Sequence, residues 1–202
     1  MVDRPERISP LDGVAEPGDY NIRGEEAPIT LSPRLPETLL QFQAWPDSVD
    51  ALRHELQVTF GLELPGATSQ TCVTSGAYSS TLIMPSGPGR YLVELDDEIE
   101  AKIFTQSVSP EIGAVTDLTH GRVVVDVSGK KADWLLASGF ALDFHPSAFP
   151  VGDVRLTRHH DIAITIHREA EDRFALFVVS SFARAFWAFL TKSALEVGYR
   201  VE

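Results

Sequence analysis

The chain is short of the residues that most often betray chemistry. It has a single cysteine, Cys72. An internal disulfide is excluded, and one thiol fits a reducing, cytoplasmic setting. No CxxC pair is present, and no two of the six histidines (His54, His120, His145, His159, His160, His167) stand at i, i+4. Structural or surface roles for them are favoured over a metal site. Basic residues are few, 17 against 29 acidic, for a net charge of −12. That balance argues against nucleic acid and anionic membranes, and fits solubility and a basic partner. No apolar run approaches the roughly 20 residues that span a bilayer. Residues 1–13 have no apolar core and do not read as a secretory signal. No dinucleotide fingerprint is present, because proline interrupts Gly87-Pro88-Gly89 and no helix follows it. No G-x-S-x-G elbow is present either, so Asp117, His120 and Ser128 do not form a recognisable triad.

What remains is 44% hydrophobic over 202 residues, enough for one domain or two small ones. Residues 1–27 are rich in Pro, Gly and charge and are expected to be an extended or disordered arm. Residues 28–110 read β-β-α-β-β-α. Leu40, Phe42 and Ala44 alternate with Gln41 and Gln43 as in a strand. Val49, Leu52, Leu56 and Phe60 repeat as one helix face, with Ser48 or Asp47 as cap and Gly61 as stop. Leu64-Pro65-Gly66 reads as a turn, 67–76 as a loop, and 85–89 as a break between strands. Residues 98–108 read as a helix with Ile99, Ile103 and Phe104 inward. One small sheet would accommodate this half.

Residues 111–202 read β-β-α-β-β-β-α, organised around 113–150. Val123, Val125 and Val127 share one strand face, Val124 and Asp126 the other. Ser128-Gly129 stops the strand, and 130–138 reads as a helix ended by a left-handed Gly139. Asp117 is expected to bond backbone at a turn, and Arg122 to pair with it or with a partner. Cys72 is read as a small buried or loop residue. The closing helix, capped by Ser180 or Ser181, carries a stripe of Phe182, Phe186, Phe189 and Leu190, with Trp187 off that stripe. Phe144, His145 and Phe149, in a segment whose backbone Pro146 and Pro150 restrict, and Trp187 are the candidate interface anchors. No catalytic, cofactor-binding or metal residue is assigned. The fold class is α+β: two small subdomains with antiparallel sheets and packed helices.

Several motifs in order carry a resemblance. They are Val115-Thr116-Asp117-Leu118-Thr119-His120-Gly121-Arg122, Val127-Ser128-Gly129, Leu135-Leu136-Ala137-Ser138-Gly139 and Leu142-Asp143-Phe144-His145-Pro146-Ser147-Ala148-Phe149. Gly87-Pro88-Gly89-Arg90-Tyr91-Leu92-Val93 and the helix 181–190 add to them, although Gly89-Arg90 replaces the usual acidic pair and Tyr91 a common tryptophan. Together they resemble the γ subunit of heterotetrameric sarcosine oxidases. The resemblance implies an aminomethyltransferase-like fold and a non-catalytic scaffold role. It further implies α, β and δ partner subunits carrying FAD, FMN, NAD, zinc and tetrahydrofolate. The implied complex demethylates sarcosine to glycine, forming hydrogen peroxide and 5,10-methylenetetrahydrofolate. The alternatives are a γ-like subunit of an N-methylglutamate dehydrogenase or related amine oxidoreductase, and a stand-alone folate-binding protein.

Overall fold

A computed structural model describes residues 7–24, 26–61, 64, 72–74, 81–96 and 98–202, with backbone alone for 72–74 and 98–101. The first strands are β1 (Gly18–Tyr20), β2 (Thr30–Arg34) and β3 (Thr38–Ala44), followed by helix α1 (Val49–Phe60). Next come β4 (Cys72–Thr74), β5 (Thr81–Gly87), β6 (Arg90–Leu95) and α2 (Glu98–Ser107). Then follow β7 (Gly113–Asp117), β8 (Arg122–Ser128) and α3 (Ala132–Ala137). The chain closes with β9 (Val154–His159), β10 (Ile162–Ala170), β11 (Arg173–Val179), α4 (Ala183–Ala194) and β12 (Tyr199–Val201).

A strand with valine on both faces must be covered twice, and β8 is. Val123, Val125 and Val127 pack beneath α3 and α4 with Leu135, Leu136, Phe186 and Leu190. Val124 looks the other way, into a second layer with Leu39, Met84, Leu92, Ala175 and Phe177. The strands form two sheets, β1-β12-β2-β8-β11-β10-β9 and β4-β5-β6-β3-β7. All described pairings are antiparallel except that of β12 with β2. The smaller sheet turns its other face to α1 and α2 through Phe42, Leu52, Leu56, Tyr91 and Phe104. The result is a stack of helices, sheet, sheet, helices, an α+β fold with antiparallel sheets and few helices.

The sheets do not each draw on one half of the sequence. β2 leaves residues 28–110 to lie between β12 and β8, while β7, just past residue 110, completes the smaller sheet on β3. The expectation of one sheet in the first half is corrected accordingly. The cause is Ile29 and Leu31, both fully buried in the core under α3 and α4. Consecutive β7 and β8 thus part into different sheets. Thr119 locks the crossing, its Oγ1 accepting from Leu39 N at 3.0 Å.

Residues 7–20 form part of the fold, in contrast to the arm expected from composition. Leu11 is 2% exposed and joins the larger core. Arg7 donates to Thr119 O and Pro36 O, each at 2.8 Å, and Arg184 to Pro10 O at 2.8 Å. β1 pairs with β12, and Tyr20 stacks on Tyr199 at 4.7 Å. One leucine and two arginine clamps suffice here, and composition averages hide them.

Several local expectations change for identifiable reasons. The larger ring does not define the α4 stripe: Ala183, Phe186, Trp187, Leu190 and Ala194 are buried, while Phe182 is 45% exposed. A 3-10 turn over Ser180–Phe182 leads in, and no side chain caps α4. Ser48 occupies the N-cap of α1 without a side-chain hydrogen bond, whereas Gly61 ends the helix as expected, and does so in the left-handed conformation. Gly139 is not left-handed; α3 ends at an ordinary Ser138. Its lack of a Cβ serves Phe189, whose ring would lie 2.0 Å from one. Ile103 is exposed and Phe104 buried. β5 continues through Pro85 by an irregularity before Gly87. β4 occupies part of the expected 67–76 loop. The Pro65-Gly66 turn and the side chains of Cys72 and Ile99 lie outside the described residues.

Candidate functional site

Residues 142–149 wrap one end of the larger sheet. Asp143 Oδ1 accepts from His145 N at 2.8 Å, and His145 O receives both Ala148 N and Phe149 N at 2.9 Å. This tight turn throws Phe144 and Phe149 inward. Their rings lie 5.9 Å apart and meet Phe174 of β11 at 5.7 and 6.1 Å. Phe144 is 5% exposed and Phe149 1%. Trp187 is also buried. These three side chains fill the chain's own core and cannot also anchor a partner, so their expected interface role is corrected. His145 alone of the four is exposed, its Nδ1 2.8 Å from Ser147 Oγ.

Two arginines that composition and periodicity do not single out hold this loop. Arg168 is 2% exposed, and its Nη1 donates to Phe144 O at 2.9 Å and Phe149 O at 2.7 Å. Its Nη2 reaches Glu171 O, and its guanidinium lies 5.0 Å from the Phe174 ring. A planar fork with several donors suits this bridging of carbonyls, and lysine would not replace it. Arg155 donates to Ala148 O at 2.7 Å and lies 4.7 Å over Phe149. No local sequence pattern marks Arg168; the structure places it beside the β10 irregularity between Arg168 and Ala170.

A cavity of about 490 Å³ opens beside the loop, lined by Gly129, Lys130, Asp133, Pro146, Arg168, Glu171 and Asp172. Gly129 holds a positive φ of +110°, and a Cβ there would fall 2.6 Å from Pro28 O. Lys130 is engaged at 2.9 Å by Glu26. The lining offers charge of both signs but no nucleophile with a base beside it. Asp117 Oδ1 caps Thr119 N at 2.8 Å, and Arg122 donates to Gly121 O at 3.1 Å. Ser128 sits at the opposite end of β8 from His120, roughly 20 Å away at strand rise. The imagined triad is therefore not assembled. Among the described residues no three His, Cys, Asp or Glu side chains are grouped to hold a metal ion.

A second polar group lies between the sheets. Arg34 Nε reaches Asp126 Oδ2 at 3.0 Å, and its Nη1 reaches Glu94 Oε1 on the opposite sheet at 2.5 Å. Burial opposes the Arg34 charge, but the bonds and charges of Glu94 and Asp126 prevail and raise its pKa. Burial raises the Asp126 carboxyl against the pull of Arg34. It raises Glu169 as well, helped by Asp126. Burial also lowers His167 to about 4, so that imidazole is neutral near pH 7. The Arg34–Glu94 pair fastens sheet to sheet.

Two face-to-face antiparallel sheets with outer helices make this an α+β fold of aminomethyltransferase type. Aminomethyltransferase T of the glycine cleavage system from Bartonella henselae superimposes with a TM-score of 0.63 at 16% identity, over 88% of this chain and 48% of that one. A chain of the heterotetrameric sarcosine oxidase from Corynebacterium sp. U-96, solved with pyrrole 2-carboxylate, superimposes more fully. The TM-score is 0.78 at 24% identity, over 95% of this chain and 96% of that one. Residues 46–196 match the model of the sarcosine oxidase, gamma subunit family, and the chain belongs to that family. The sarcosine oxidase subunit gamma of Corynebacterium sp. strain P-1 is 28% identical over 118 residues, 58% of each chain. That of strain U-96 is 26% identical over 162 residues, 80% of this chain and 76% of that one.

Proposed function

We propose that this chain is the non-catalytic γ subunit of a heterotetrameric, flavin-dependent sarcosine oxidase. The family match over residues 46–196 carries the reading, and the superposition over 95% of the chain supports the fold it requires. The work done by the motif residues agrees with a scaffold. Asp117 and Thr119 fix the sheet crossing, Gly129 a close backbone approach, and Phe144 and Phe149 the core. In this reading α, β and δ subunits carry FAD, FMN, NAD, zinc and tetrahydrofolate, and the flavin accepts the hydride from sarcosine. Sarcosine yields glycine, oxygen yields hydrogen peroxide, and the one-carbon unit becomes 5,10-methylenetetrahydrofolate. The assembly is cytoplasmic in this reading. Among the described residues no helix is long and apolar enough to cross a membrane.

Co-expression with the α, β and δ subunits tests this. The four chains are expected to co-purify in equal amounts as a yellow complex that turns over sarcosine in preference to N-methylglutamate. The isolated chain is expected to be colourless and inactive. Stoichiometric flavin on the isolated chain, or failure to co-purify, would overturn the proposal.

A further inference from the structure

One cavity holds a cation and no acid. It measures about 320 Å³ and lies where the N-terminal segment meets the turns that lead into β8 and out of β11. Its polar lining is Arg7, Ser9, His120 and Ser180, and its apolar lining Ile8, Pro10 and Leu35. The cavity beside the 142–149 loop instead includes Asp133, Glu171 and Asp172, and one beside α4 includes Glu16. The acid-free lining runs against the chain's net charge of −12.

Arg7 has donors to spare. Its Nη1 donates to Pro36 O at 2.8 Å and to Glu37 O at 3.4 Å, and its Nη2 to Thr119 O at 2.8 Å. A guanidinium carries five N–H groups, so the Nε–H and one N–H of Nη2 are left over. Nε is shut off from solvent and has no hydrogen-bond partner among the described residues. A buried donor without an acceptor is unfavourable. No described carboxylate pairs with Arg7. Asp117 Oδ1 is taken by Thr119 N at 2.8 Å, while Glu37 and Asp12 offer only backbone oxygens, to Arg7 and Arg184. Two N–H groups along one guanidinium edge match the two oxygens of a carboxylate. Ser9 Oγ accepts from Leu11 N at 3.1 Å, which leaves its O–H free to donate. His120 is exposed, and Ile8, at 74% exposed, adds aliphatic surface.

We propose that this cavity binds a carboxylate on a short aliphatic stem, with Arg7 as its bidentate donor and Ser9 and His120 beside it. The same chemistry can come from a free short-chain acid, from a glutamate of another subunit, or from Asp3 or Glu6 of this chain. The stem lies against Ile8, Pro10 and Leu35.

The test titrates the full chain with sodium butyrate, at an ionic strength held constant with sodium chloride, and follows the Arg7 Nε–H by proton–nitrogen NMR. A saturable shift is expected. His120→Glu sets a fixed carboxylate at the cavity from an exposed position. It should leave the melting temperature unchanged and weaken butyrate at least about tenfold through like-charge repulsion. Val58→Glu on α1, 70% exposed, should bind as wild type does. Equilibrium dialysis of radiolabelled butyrate then compares co-expressed complexes carrying wild type or His120→Glu. A difference between them identifies a free acid as the occupant, whereas saturation confined to the isolated chain identifies a partner's carboxylate. If the wild-type chain shows no shift, a saturable shift in Asp3→Asn/Glu6→Gln assigns the pocket to the chain's own first residues. No saturable shift at Arg7 in either protein would overturn the site. So would butyrate binding that His120→Glu leaves unchanged. The titration of the isolated chain decides this whether or not the subunit reading holds.

Discussion

Arg34 bonds one carboxylate from each sheet, Asp126 beside it and Glu94 across the gap. Burying such a group is favourable only while its partners are present, since a lone buried charge costs several kcal/mol. His167 meets the same constraint differently. It is 6% exposed, its Nδ1 has no hydrogen-bond partner, and burial lowers its pKa from 6.5 to about 4. The unfolded chain therefore binds a proton between about pH 6.5 and 4 that the folded chain refuses. This contribution to stability is fully present above pH 6.5 and is lost as pH falls towards 4. Asp126 and Glu169, raised in the fold, act in the opposite sense, but they are common to wild type and variant. Denaturant unfolding of wild type and His167→Leu at several pH values isolates the histidine. The wild type is expected to lose up to about 3 kcal/mol relative to the variant between pH 7 and 4. Parallel curves would show that His167 titrates alike in both states.

At the scale of elements, α4 and the 142–149 loop are each fixed by what they bury. Phe186 is fully buried, with Phe140 at 6.1 Å and Phe189 at 5.9 Å. Phe186→Ala is expected to cost about 3–5 kcal/mol in chemical denaturation. A loss below about 1 kcal/mol would mean that the site collapses onto Phe140 and Phe189 with little cavity. The position of Phe186 was legible in the sequence, as was the valine face of β8, because both follow local periods of 3.6 and 2. Ring size places Phe182 inside and Trp187 outside, but the helix turns the other way, because Ala183 and Ala194 also lie on the buried side. The loop residues were found as a motif, but not their direction. That depends on Arg168, whose carbonyl partners Phe144 and Phe149 lie 24 and 19 residues away. Family membership rests on the resemblance of whole motifs, which no local pattern expresses.

At the scale of the whole molecule, the path of the chain ties its two halves together. The larger sheet takes β1 and β2 from the first 34 residues and inserts β2 between β12 and β8. The smaller sheet takes β7 from beyond residue 110 and lays it on β3 through Gly113, where a Cβ would fall 2.5 Å from Gln43 O. Cutting at 110/111 would remove β1 and β2 from one sheet and β7 from the other. It would expose Leu31, Val127, Leu40 and Phe42, all 1% exposed or less in the intact chain, and leave strand edges open to aggregation. Fragments 1–110 and 111–202 are therefore expected not to fold separately. Each alone should lack cooperative melting and amide dispersion, while co-expression of the two should restore both by strand complementation. A cooperative transition in isolated 111–202 would show that β8 to β12 suffice as a domain and that β2 is a removable addition. The geometry argues against that outcome. β2 is an interior strand of the seven, and Arg34 at its end carries the ion pairs that join the sheets. The cut leaves Arg34 and Glu94 in one fragment and Asp126 in the other, so it removes hydrogen bonds, apolar cover and the Arg34–Asp126 ion pair together.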